Sequence, residues 1–70
     1  MEYAVILEKE PQSDWGAYVP DLPGCVAVAK SRAEVEKLIQ EAIQIHLAGM
    51  REGGLPIPEP TSSVFSLKVA

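Results

Sequence analysis

Few side chains in this sequence are equipped for chemistry: Asp14, Asp21, Cys25 and His46, with Trp15 and Tyr18 near the two aspartates. Asp14 and Asp21 bracket one short apolar run, residues 15–19. Two carboxylates brought together there would suit a divalent metal in phosphodiester hydrolysis, or a general acid and base, with His46 assisting. Loop aspartates are also common in turns, where they bond nearby backbone. His46 is the only histidine and has no Ser, Cys or carboxylate arranged around it as a triad, so it reads as a structural histidine. Cys25 is the single cysteine; with no bridge partner and no ligand cluster it reads as a small buried apolar side chain. Gly53-Gly54 lacks a following Lys-Ser/Thr and leads into prolines, which excludes a phosphate-binding loop. Trp15 and Tyr18 have no flanking Arg or Lys and side with the core rather than with base stacking.

The stretch least explained by generic folding rules is Pro20-Asp21-Leu22-Pro23-Gly24-Cys25. Pro20 and Pro23 fix φ and bias Val19 and Leu22 toward extended conformations, while Gly24 accepts positive φ at no steric cost. The result is a stiff acidic elbow between two strand-like runs. The Asp21 carboxylate sits at its tip, either bonding its own backbone or facing a partner, and Leu22 is free to fold back under the sheet.

Seventy residues make one domain, near the lower limit for a core without disulfides, metal or oligomerisation. With 47% apolar and only 6% aromatic residues, that core must be built from Val, Ile, Leu and Ala. Ten acids against six Lys and Arg give a net charge of −4, and no basic run is present to neutralise phosphates. Direct nucleic-acid binding is therefore not expected, and a basic partner is favoured. There is no charged leader with an apolar h-region, and no apolar run near the roughly 18 residues of a membrane span. The expectation is a cytoplasmic protein without cofactor.

The elements that must position these residues follow from periodicity. Residues 3–7 are apolar on both faces, which predicts a strand covered on each side, central in a sheet or at a subunit contact. Residues 8–14 predict a hairpin loop, and residues 15–19 a second strand with Trp15 and Ala17 on one face and Tyr18 on the other. Residues 25–29 predict a third, with Cys25, Ala27 and Ala29 opposite Val26 and Val28, the small face allowing close approach of a helix. Ser31-Arg32-Ala33-Glu34 matches a capping box, opening a helix over residues 32–52 with Val35, Leu38, Ile39, Ala42, Ile43, His46 and Met50 on its apolar stripe. Such a helix is about 31 Å long. Gly53-Gly54 stops it, Leu55-Pro56-Ile57-Pro58-Glu59-Pro60 runs extended as a connector, and alternation over residues 64–69 predicts a last strand with Phe65, Leu67 and Val69 on one face. The order β-β-β-α-β is an α+β layer: an antiparallel sheet with one long helix on one face.

Tyr3-Ala4-Val5-Ile6-Leu7-Glu8-Lys9, Trp15-Gly16-Ala17-Tyr18-Val19 leading into the elbow, Glu41-Ala42-Ile43, and the exit Gly54-Leu55-Pro56-Ile57-Pro58-Glu59-Pro60 together resemble the HicB-type antitoxin domain of type II toxin-antitoxin systems. The resemblance spans essentially the whole chain, residues 1–70 forming one domain. It implies a partial ribonuclease-H-like fold without a nuclease site, acting by protein binding. Members neutralise a small basic HicA-type toxin, an RNA-cleaving protein with a double-stranded-RNA-binding-like fold, by covering its surface and active histidine. The acidic balance suits such a partner, since complementary charge speeds encounter. Ala29-Lys30-Ser31 departs from the family's Gly-Asp-Thr-like turn, keeping the capping hydroxyl. Many members also carry a C-terminal DNA-binding module; with none following the last expected strand, operator binding by this chain is not expected.

The sequence thus predicts a non-enzymatic, antitoxin-like binding domain. Toxin contacts are expected at Asp21 and Leu22 of the elbow, at Trp15 beside it, and at the helix acids Glu34 and Glu41. Small size, the long apolar helix and the doubly apolar first strand predict self-association as a dimer or higher even oligomer, with a sheet extended across a two-fold axis. The alternatives are an orphan oligomer that binds a small ligand or another partner, and a metal-dependent hydrolase or nuclease using Asp14 and Asp21.

Overall fold

A computed structural model describes residues 1–9 and 11–69; Glu10, inside the expected hairpin loop, and Ala70 lie outside the described residues. Three antiparallel strands, β1 (Ile6–Lys9), β2 (Trp15–Tyr18) and β3 (Val26–Ala29), are followed by one helix, α1 (Arg32–Glu52). The sheet order is β1-β2-β3. The fold is α+β, as the periodicities predict.

Register explains which side chains meet the helix. Leu7, Ala17 and Ala27 are cross-strand neighbours, as are Lys9, Trp15 and Ala29. On this face Ala17 and Ala29 are buried, and their small side chains let α1 pack closely over β2 and β3. The buried core is Ala17, Val19, Leu22, Cys25, Ala29, Val35 and Ile39, with Leu7, Trp15, Ala42, Ile43 and Leu47 packed around it. Leu38, expected on the buried stripe, is exposed; the face actually covered is narrower and centres on Val35 and Ile39. The opposite sheet face, with Tyr18, Val26 and Val28, is open to solvent.

Both helix ends are set by local chemistry. Ser31 adopts extended φ/ψ and its Oγ accepts from the Glu34 N–H at 3.2 Å, capping the first turn. At the other end Gly54 takes φ +68°, Gly54 N–H donates to Arg51 O and Leu55 N–H to Met50 O. These two bonds are the pair that defines a Schellman motif, so the double glycine stops the helix where expected.

Two expectations about strands change. β1 lies two to three residues later than residues 3–7, because β2 ends at Tyr18, which pairs with Ile6, and Pro20 then turns the chain away from Tyr3, Ala4 and Val5. The predicted fourth strand is absent as a paired element: residues 64–69 form no ladder, and Phe65, Leu67 and Val69 are 86%, 72% and 78% exposed. Alternation signals a strand's two faces but does not supply the neighbour whose backbone groups must pair with it. Without that neighbour the segment is an apolar arm.

Candidate functional site

The elbow is two successive proline-initiated turns sharing Leu22. Leu22 N–H donates to Val19 O at 3.0 Å, with Pro20 and Asp21 between them. Cys25 N–H donates to Leu22 O at 3.0 Å, with Pro23 and Gly24 between. Gly24 has φ +84°, the positive value that the third position of a type II turn demands. Val19 N–H closes the base by donating to Cys25 O at 3.3 Å. The geometry drives Leu22 inward, where it is 0% exposed, and tilts Asp21 outward. The expectation that Leu22 offers a contact surface is therefore corrected: its side chain anchors the elbow in the core.

Asp21 is a clamp. Its Oδ2 accepts from the backbone N–H groups of Thr61 and Ser62, both at 3.0 Å, and its Oδ1 from Thr61 Oγ1 at 2.9 Å and Ser62 Oγ at 3.1 Å. The Ser62 backbone N–H is the main influence holding the carboxyl below its ordinary pKa, partial desolvation opposes it, and the Thr61 and Ser62 hydroxyls and Thr61 N–H add to the lowering. Tyr3 Oη donates to Pro58 O, a second tie on the same proline-rich segment. Together these contacts hold residues 58–62 against the elbow and the N-terminal segment. Thr61 and Ser62 have no part in the sequence reading, since nothing local marks them as partners of a residue forty positions away.

The remaining candidates occupy other parts of the surface. Trp15 opens β2 and the elbow follows its end, about 13 Å of strand apart, so Trp15 is not beside the elbow. Trp15 is half-buried and has the Arg32 guanidinium 6.0 Å from its ring centroid. Glu34 and Glu41 are exposed and seven residues apart, two helical turns, on one stripe of α1. Leu38 and Ile45 fall on that stripe and are also exposed, giving an acidic ridge with apolar steps at 34, 38, 41 and 45. The sequence reading singles out the two acids but assigns Leu38 to the core.

Asp14 and Asp21 stand at opposite ends of β2, and both Asp21 oxygens are engaged by the clamp. Among the described residues no cluster of three or more His, Cys, Asp or Glu side chains is placed to hold a metal ion. Cys25 is buried, which pushes its thiol pKa up and leaves it un-ionised. His46 is half-buried on α1. Among the described residues no helix is long and apolar enough to cross a membrane.

The comparisons with known proteins agree with this architecture. A family model described as the HicB-like antitoxin of bacterial toxin-antitoxin systems matches residues 3–68. The chain is 33% identical over 67 residues to a UPF0150 protein of Thermoplasma acidophilum, covering 96% of this chain and 97% of that one. It is 38% identical over 47 residues to a UPF0150 protein of Archaeoglobus fulgidus, covering 67% of this chain and 68% of the relative. Among solved structures it is similar to a chain of the "HicA3 and HicB3 toxin-antitoxin complex", with TM-score 0.70, 26% identity, 87% of this chain and 70% of that chain covered.

Proposed function

Since the chain belongs to the HicB-like antitoxin family of bacterial toxin-antitoxin systems, we propose that it is a non-enzymatic antitoxin that neutralises a small basic HicA-type RNA-cleaving toxin by covering it. The observation that carries this reading is the likeness, over 87% of the chain, to a chain taken from a toxin-antitoxin complex. Charge supports it: a net −4 favours a basic partner and faster encounter with it.

The surface assigned to the toxin is the ridge of Glu34, Leu38, Glu41 and Ile45. It supplies carboxylates for toxin cations and apolar steps for the dry centre that a specific interface needs. Trp15 adds an aromatic contact near the start of the helix. Asp21 is given a positioning role, fixing residues 58–62 through its hydroxyl and amide partners. The protein acts in the cytoplasm as a self-associating unit.

The test is affinity capture from the source cell's lysate, followed by RNA-cleavage assays on the retained protein with and without this chain. Recovery of a small basic ribonuclease whose cleavage stops on adding the chain supports the reading. Recovery of no such protein, or cleavage unaffected by stoichiometric addition, overturns it.

A further inference from the structure

β3 borders the sheet on the side away from β1 and pairs with β2 alone. One hydrogen bond decides which of its backbone groups that leaves free. Val19 N–H donates to Cys25 O at 3.3 Å, and this pair continues the register of Tyr18 with Val26 and Ala17 with Ala27. Antiparallel ladders alternate bonded and non-bonded pairs, so Ala27 and Ala29 turn their N–H and C=O toward β2, whereas Val26 and Val28 turn theirs outward. Val26 and Val28 are 62% and 64% exposed, so the described residues leave that edge open. Val26-Ala27-Val28 has no charge, no proline and an unbroken register, and so lacks the devices that keep an edge strand from pairing.

The helix sets an acidic flank beside this edge. Arg32, Glu36, Ile39 and Gln40 line a groove with Val5 and Leu7, so that side of α1 faces β1. At about 100° per residue, Glu34 and Leu38 lie about 160° round the helix from Glu36 and Gln40. Because the sheet order is β1-β2-β3 and α1 packs over β2 and β3, the ridge of Glu34, Leu38, Glu41 and Ile45 lies on the β3 side. Leu38 and Ile45 are exposed there. Beneath them Ala27 and Ala29, on the helix side of β3, are small enough to leave room for a neighbour's side chains.

We infer that the basic toxin adds a strand of its own to the β3 edge, bonded to the N–H and C=O groups of Val26 and Val28, with Lys or Arg side chains reaching Glu34 and Glu41. This rests on the antitoxin reading and gives the helix ridge a backbone partner beside it. In strand addition the main-chain bonds supply affinity and alternate side chains supply specificity. Charge selects the occupant. A second copy on this edge would bring two sets of Glu34 and Glu41 together across a strand spacing of about 4.8 Å, whereas a basic strand meets opposite charge. Lys30 follows β3 at its far end, so the toxin's cations belong on the α1 side. The chain's own C-terminal arm is placed elsewhere: Ser63 and Val64 border Met1, Glu2, Tyr3 and Ala4, which lead into β1 at the opposite edge.

The test is amide hydrogen exchange by NMR on the full chain, free and saturated with the basic ribonuclease captured from its lysate. In the free chain the Val26 and Val28 amides should exchange fast and those of Ala27 and Ala29 slowly; in the complex Val26 and Val28 should become protected as well. Val28→Pro removes one outward N–H at an edge position, where proline is tolerated, and should weaken ribonuclease binding about tenfold while Ala27 keeps its protection. A bound ribonuclease that leaves Val26 and Val28 exchanging as in the free chain overturns the strand addition and leaves the antitoxin reading standing. Slow exchange of both amides in the free chain also overturns it, since the edge would already be paired. Capture of no basic ribonuclease overturns both readings. If Val28→Pro does not fold, the exchange pattern of the unmodified chain decides alone.

Discussion

Truncating Leu22 to alanine tests the claim that the elbow is built around a buried anchor. The side chain is 0% exposed and belongs, among the described residues, to a core of seven buried residues, so few neighbours are available to refill the space. Collapse is further limited because Pro20 and Pro23 fix the backbone on either side and Val19 N–H to Cys25 O closes the base. Large-to-small changes of this type cost about 2.7–5.0 kcal/mol, and a poorly collapsing site belongs in the upper half, about 4 kcal/mol. A domain of this length has roughly 4–10 kcal/mol in total. Leu22→Ala should thus lower the melting midpoint by more than about 15 °C, followed by circular dichroism at equal protein concentration so that association does not shift the comparison. Val26→Ala, at a 62% exposed position of the same sheet, is the matched control and should stay within about 0.5 kcal/mol. A loss below about 1 kcal/mol for Leu22→Ala would refute the anchor.

Four further outcomes are expected. Gly24→Ala should cost about 1–2 kcal/mol in urea unfolding, purely from backbone strain at φ +84°, since nothing lies within 4 Å of where its Cβ would sit. Ser31→Ala removes the acceptor for Glu34 N–H and should cost about 1 kcal/mol in the same assay. Because the Asp21 carboxyl is held below its ordinary pKa, its contribution to stability is complete above the unfolded value near pH 4 and is lost as pH falls through the lower folded value. Amide shifts of Thr61 and Ser62 should therefore move together below about pH 4 and stay flat above it. With toxin in hand, E41K should slow association and weaken its salt dependence while leaving the melting curve in place, since Glu41 is exposed in the middle of α1; unchanged association kinetics would remove the ridge from the interface.

What the sequence made legible is what is encoded locally. Ser31 and the Gly53-Gly54 pair mark helix ends because the groups they satisfy lie within a few residues of them. The elbow is legible for the same reason: Pro20, Pro23 and Gly24 dictate two turns without help from the rest of the chain. Asp21 stands out locally but its partners do not, since Thr61 and Ser62 lie forty and forty-one positions away. That Leu22 folds back under the sheet is legible from the same two prolines, and it is the contact role given to Leu22 beside Asp21 that its full burial removes. Leu38 shows the other limit, for a helical stripe gives direction but not the width of the face that a three-stranded sheet can cover. Residues 64–69 have the pattern of a strand, and pattern carries no information on whose edge completes it.

The Asp21 clamp also orders events in time. Two residues joined across forty positions close a ring that contains β3 and all of α1. Closing so long a ring has an entropic cost that short-range contacts avoid, so the hairpin of β1 and β2 and the helix can form before it. A clamp that forms late is expected to act on unfolding, so Asp21→Asn should speed unfolding more than it slows folding in urea-jump kinetics. In Asp21→Asn the amides of residues 61 and 62 should exchange with solvent much faster, while those around Val35 and Ile39 keep the protection of the core, marking the C-terminal segment as a separate, low-stability folding unit.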